Sequence, residues 1–203
     1  MAPQSPPPLP KAKRSNIPLP IKILLLGTGL ALVCVLSFIG LRIFGLVIPF
    51  SIPTDGMSPA ISRGDHIVME DLTYRKRKPV SGEILVFKTD GLASERPGQV
   101  YEKRLVGLPG DRVSISNGAV LVNGVRTPFR NRDGEIAYVN LPTTKFLSKE
   151  DEAVTVPDNC YFVLGDNSPH SGDSRSWGCV PAASVIGRVA FCYWPPKHMG
   201  AVQ

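Results

Sequence analysis

Between Lys22 and Arg42 the chain carries no charged residue, and this run constrains the fold more than anything else in the 203 residues. A helix over 23–41, rising about 1.5 Å per residue, covers roughly 28 Å, close to the ~30 Å hydrocarbon core of a bilayer. The apolar character resumes after Arg42 through Phe50, which places an anchor at 21–48, with Pro49 a natural stop. Lys11, Lys13, Arg14 and Lys22 precede the run, so the positive-inside tendency puts the N-terminus in the cytoplasm and the remainder across the membrane. A cleaved export signal is the rival reading. The run is long, and bulky Val47-Ile48-Pro49-Phe50 follows it instead of a small-x-small site, so the anchor is expected to stay.

Residues 1–20 hold Pro3, Pro6, Pro7, Pro8, Pro10, Pro18 and Pro20 and read as a disordered basic tail, because proline lacks the amide donor and fixes φ. The net charge of +6 sits largely in short runs. One of them, Arg75-Lys76-Arg77-Lys78, reads as a solvated loop or as a patch drawn to anionic head groups. No nucleic-acid motif accompanies the charge, so neither DNA nor RNA is expected as a partner. Four cysteines show no metal-ligand spacing, and no cofactor is implied. Across the membrane, one disulfide among Cys160, Cys179 and Cys192 is compatible with the compartment.

Past the anchor the pattern changes to short β-type runs broken by Gly, Pro and Asp. Strands are expected at 66–70, 83–88, 100–106, 112–116, 119–122, 153–156, 160–164 and 185–193. Asn117-Gly118 is a hairpin turn signal, and Asn123-Gly124 looks like a second. Residues 126–152 are polar and irregular, an expected insertion. Residues 49–203 thus form one all-β, barrel-like domain behind a single N-terminal transmembrane helix.

Three separated blocks carry the chemistry. The first is Ser51-Ile52-Pro53-Thr54-Asp55-Gly56-Met57-Ser58-Pro59-Ala60-Ile61 with Gly64-Asp65 behind it. The second runs Tyr101-Glu102-Lys103-Arg104-Leu105-Val106-Gly107-Leu108-Pro109-Gly110-Asp111. The third is Gly165-Asp166-Asn167 followed by Ser171-Gly172-Asp173-Ser174-Arg175-Ser176-Trp177-Gly178. In this order, behind an anchor, the blocks resemble those of the type I signal peptidases. That family carries Ile-Pro-Ser/Thr-Gly-Ser-Met-x-Pro, Tyr-x-Lys-Arg-Val-x-Gly-Leu-Pro-Gly-Asp and Gly-Asp-Asn … Ser-x-Asp-Ser-Arg-x-Trp-Gly.

The resemblance implies a membrane-bound serine endopeptidase that removes signal peptides from exported preproteins with a Ser/Lys dyad. Such a lysine works as a base only when neutral. Lys103 matches that base, and strand alternation turns Glu102 and Arg104 to the other face. Gly56 stands at the nucleophile's position, so the chain as written is expected to be inactive or nearly so. Thr54 and the Gly56 amide match the oxyanion donors, and Ser171 matches the residue that orients the lysine. Asp173 and Arg175 match a structural salt bridge. Phe50, Ile52, Pro53, Met57 and Tyr101 match the substrate groove. Gly165, Asp166 and Asn167 would shape the same wall, with Asp166 read as turn chemistry. Ser168-Pro169-His170 departs from the family's Arg-Asp-Asn, and His170 reads as a solvated loop residue. Two other readings compete. One is a non-catalytic pseudopeptidase that binds signal peptides. The other is a self-cleaving Ser/Lys repressor relative, disfavoured by the anchor and by the lack of a DNA-binding domain.

Overall fold

A computed structural model describes residues 18–43, 47–93 and 95–202. Most of the expected proline-rich tail, including Lys11, Lys13 and Arg14, lies outside the described residues. The chain divides into two units, Met1–Ile43 and Phe44–Gln203.

The first unit contains helix α1, Leu19–Ile43. Its stretch Leu19–Gly40 has a mean hydropathy of 2.5 and is long and apolar enough to cross a membrane. Large apolar side chains such as Leu24, Leu32 and Phe38 are more than half exposed, so no polar face or core-packed face divides the helix. Thr28 satisfies its hydroxyl inside the helix by donating to the Leu24 and Leu25 carbonyls at 3.0 and 3.1 Å. Helix α1 covers Leu19–Ile43, and Val47–Ser51, whose first two residues were expected inside the anchor, is strand β1. Proline cannot feed a helical ladder, whereas an edge strand tolerates it, and β1 is an edge that pairs only with β2.

The second unit is mostly β. After β1 come β2 (His66–Glu70), β3 (Ile84–Lys88), β4 (Val100–Gly107), β5 (Arg112–Ser116), β6 (Ala119–Val122) and β7 (Val125–Arg126). Then follow β8 (Arg130–Asn131), β9 (Gly134–Glu135), β10 (Ala153–Thr155), β11 (Cys160–Leu164), helix α2 (Ser174–Trp177), β12 (Val180–Pro181), β13 (Val185–Trp194) and β14 (Gly200–Ala201). The main sheet runs β1-β2-β13-β3-β4-β11-β12 with β14 added beside β13, and a second sheet runs β10-β5-β6-β7. Register shifts along β13 and between Phe162 and Val163 curl the main sheet into a half-barrel, since each bulge adds bend and twist. Asn117 and Gly118 both take positive φ, 48° and 76°, as a two-residue turn between right-twisted strands requires.

Residues 126–152, expected as an insertion, contribute apolar side chains to the core. Phe129, Ile136, Tyr138 and Leu147 are buried with Val106, Val113, Ile115 and Val120 in one cluster. Sparse apolar residues in a polar stretch close the open face of the β5–β6 hairpin. A second cluster joins Ile52, Met57 and Ile61 to Ile67, Met69, Val86 and Val189. A third packs Leu85, Phe87, Leu105, Val163, Trp177 and Val180. The functional blocks lie where these clusters meet the main sheet.

Candidate active site

The first block is a loop pinned at both ends. Ile52 N–H donates to the Asp65 carbonyl and Gly64 N–H to the Ile52 carbonyl, each at 2.9 Å. Ile52, Met57 and Ile61 are buried pegs, so Pro53, Thr54 and Asp55 arch outward between them. Asp65 is buried, accepts from Ser62 N–H at 2.9 Å and pairs with His198 Nδ1 at 2.6 Å. Asp55 accepts from Arg63 N–H at 3.0 Å. Their exposed ion pair at 3.4 Å adds at most about 1 kcal/mol.

The second block is β4. Lys103 is only 6% exposed, and its Nζ donates to the Glu102 carbonyl at 2.8 Å. Its Nζ also lies 5.7 Å from the Tyr101 ring centre. Lys103 faces the backbone of Gly56. A Cβ at position 56 would lie 3.5 Å from Lys103 Nζ and 3.7 Å from Ser171 Oγ, both ordinary contact distances. Among the described residues the Gly56 N–H donates to no acceptor within the chain.

The strand alternation holds for Arg104, with a consequence the sequence did not reveal. Arg104 is buried and donates to both Asp166 oxygens at 2.7 and 2.6 Å and to the Gly82 carbonyl at 2.8 Å. Burial pushes the Asp166 carboxyl up, and the guanidinium pulls against it. Asp166 is thus more than a turn former: it rivets the third block to β4. Glu102 is also buried, and burial raises its carboxyl above the usual range while the Lys103 charge opposes.

The third block closes on the first from the other side. Asn167 N–H donates to the Gly56 carbonyl and its Nδ2 to the Asp55 carbonyl, both at 3.1 Å. Gly165 permits this approach, because a Cβ there would lie 2.5 Å from the Gly56 carbonyl and 2.0 Å from Ser171 Oγ. Asp173 caps α2, accepts from Arg175 Nε at 2.9 Å and Nη2 at 2.7 Å, and also takes the Gly165 N–H at 3.1 Å. Arg175 reaches on to the Ser168 and Val139 carbonyls at 2.6 and 2.8 Å. Both members of this pair are fully buried. Ser171 Oγ makes a long 3.4 Å contact to the Gly172 carbonyl, so the expected hydrogen bond to Lys103 is not formed; both groups instead face the Cα of Gly56. His170 is exposed beside Asn167, with 3.2 Å between Nδ1 and Oδ1.

Thr54, Gly56, Pro53, Tyr101 and Lys103 line one cavity of about 460 Å³. Ile52 and Met57, expected in the groove, are core pegs beneath it, and Phe50 packs half-buried against the same cluster. Apolar residues flanking a loop apex were needed to anchor it. A slightly larger cavity, about 510 Å³, lies beside Arg104 and Arg188. There Arg188 is engaged by Glu70 and Glu83, and no lysine–hydroxyl pair converges. Among the described residues no His, Cys, Asp and Glu cluster could hold a metal.

Residues 25–194 match the family described as "Signal peptidase, peptidase S26". The chain is 37% identical over 167 residues to a probable signal peptidase I-2 of Synechocystis sp., covering 82% of this chain and 71% of that one. It is 32% identical to a signal peptidase I of Leptolyngbya laminosa, over 98% of this chain and 92% of the relative. It is 36% identical to thylakoidal processing peptidase 1 of Arabidopsis thaliana, over 74% of this chain and 43% of the relative. The chain belongs to the signal peptidase family. All three blocks fall inside the matched residues, and so do the two buried ion pairs that hold the third block. Sequence reading missed the Arg104–Asp166 rivet. A cationic strand residue facing away from the site was the only trace of it.

Proposed function

We propose that Gly56 occupies the nucleophile's place in a Ser/Lys site, so that this signal peptidase keeps the binding and charge-stabilising parts of the machinery without its covalent step. One observation carries the reading: a Cβ at position 56 falls 3.5 Å from Lys103 Nζ. With serine there, Oγ comes within hydrogen-bond reach of the amine. A neutral Lys103 takes the proton as Oγ attacks the scissile carbonyl of a signal peptide, then returns it to the leaving amine. The Thr54 hydroxyl and the otherwise unengaged Gly56 N–H face the developing oxyanion. Water then releases the acyl group by the same base.

Without the hydroxyl, binding and the oxyanion donors leave roughly 10³–10⁴-fold over water, the residue of catalysis known for another serine protease stripped of its triad, too little for efficient processing. No metal or organic cofactor takes part. Helix α1 holds the chain in the bilayer with the N-terminus cytoplasmic, and the β domain meets exported preproteins on the far side; a thylakoidal relative is consistent with a lumenal setting.

A second reading, a pseudopeptidase that holds signal peptides without cutting, is favoured by the loop being held in place with no side chain at position 56. Retention of Lys103, Thr54 and Ser171 argues for the first, since a pure binder gains little from a buried lysine. Cleavage of a membrane-inserted preprotein by the chain, by Gly56→Ser and by Gly56→Ser/Lys103→Ala separates them. Only Gly56→Ser should cut. Cleavage by the unaltered chain would overturn the nucleophile assignment, and tight binding with no cleavage by any version would install the binder.

A further inference from the structure

We propose that Cys160 and Cys179 are a disulfide site, whose oxidation closes a covalent loop around the third block. Cys160 opens β11 and faces Pro181 of β12 across the antiparallel pair. Cys179 directly precedes β12, two residues before Pro181, which brings it beside the end of the strand pair that Cys160 opens. The Cys160 sulfur is near enough to act electrostatically on the Cys179 thiol. Both are half-buried, so a small disulfide can reach them.

Other pairings are excluded by place. Cys192 is fully buried in β13 and donates Sγ–H to the Trp194 carbonyl at 3.3 Å. In sheet order β3 and β4 separate β13 from β11. The segment the bond would enclose contains Gly165, Asp166, Asn167, Ser171, Asp173 and Arg175, which is the whole wall facing Gly56.

The oxidant is a second disulfide, supplied in the compartment across the membrane, so the inference rests on the proposed topology. Burial, and then the Cys160 sulfur, hold the Cys179 proton and push that thiol up to about 12, which leaves Cys160 to attack first. Its thiolate, having given its proton to solvent, displaces one thiolate from the incoming disulfide and forms a mixed disulfide. Cys179 then loses its proton and attacks Cys160 Sγ, expelling the second thiolate. One S–S bond breaks and one forms, and the two protons end on the two departing thiols.

The test uses the full chain in detergent, with oxidised glutathione as the probe. Peptide mapping without reduction should recover a single Cys160–Cys179 linked pair. Amide exchange across 165–177 should slow by up to roughly 250-fold, the factor expected from closing a loop of this length, and Cys160→Ser should abolish the slowing. Free alkylation of both thiols after oxidation, a link to Cys192, a lasting glutathione adduct on Cys160, or a linked chain with unchanged exchange would each overturn the proposal. Chain taken from sealed membranes with thiols blocked separates the two readings. A reduced pair there, alongside clean linking by glutathione, sinks the topology and leaves the site standing.

Discussion

Gly165→Ala is a one-carbon change that should disable the site from outside it. The position does not need a left-handed backbone, so any effect is steric. The added carbon would sit 2.0 Å from Ser171 Oγ, 2.5 Å from Ser171 Cβ and 2.5 Å from the Gly56 carbonyl oxygen. The hydroxyl can rotate away, but the Cβ and the carbonyl cannot. Restoring an ordinary contact near 3.5 Å means parting the first and third blocks by about 1 Å. That stretches the 3.1 Å bond from Asn167 N–H to the Gly56 carbonyl beyond hydrogen-bonding range. Overpacking of this kind costs about 1–3 kcal/mol, or roughly 2–10 °C in melting temperature for a domain of this size. A displacement of about 1 Å between reacting groups costs on the order of 100-fold in rate. The assay is kcat/KM for preprotein cleavage by Gly56→Ser with and without Gly165→Ala, beside thermal melts of both. Cleavage within about threefold of the parent, at an unchanged melting temperature, would refute the idea that bare backbone at 165 sets the spacing of the blocks.

Arg104→Met should destabilise the β domain by about 3–5 kcal/mol in urea unfolding, because it strands the buried Asp166 carboxylate, and a loss under 1 kcal/mol would deny the rivet its role. Glu102→Gln should raise the melting temperature more at pH 7 than at pH 4. The folded carboxyl titrates above its unfolded value, so the unfolded chain ionises first and stability falls as pH rises through that window; an equal shift at both pH values would contradict this. Gly118→Ala, at φ +76°, should cost about 1 kcal/mol by strain in the hairpin alone, leave cleavage by Gly56→Ser untouched, and be read by the same urea titration.

The parts of this molecule governed by local pattern were legible in the sequence. Alternation and turn residues located the strands from β2 to β6, and the Asn117-Gly118 turn adopts the backbone its residues favour. What failed depended on distant partners. Val47–Ser51 reads as a continuation of an apolar helix until β2 is there to pair with it. Phe129, Ile136, Tyr138 and Leu147 are too widely spaced to show a period, and only the β5–β6 face explains their burial. Ile52 and Met57 flank the loop apex in sequence, yet their side chains point into the core. Nothing local joins Arg104 to Asp166, which lie far apart along the chain.

The loop that presents residue 56 is held without any help from that residue's side chain. Its ends are tied by the Ile52, Gly64 and Asp65 backbones, its pegs are Met57 and Ile61, and its apex hangs from Asn167 through the carbonyls of Asp55 and Gly56. The opposing wall is fixed by Asp166 on Arg104 and by Asp173 on Arg175, each pair buried and bidentate. On the proposed reading, a hydroxyl at 56 would carry chemistry and almost no structure. Space for its Cβ persists at ordinary contact distance from the lysine and from Ser171. Scaffold and reaction are separable at this one position, which is why one substitution, Gly56→Ser, suffices to ask whether this signal peptidase site is complete in every other respect.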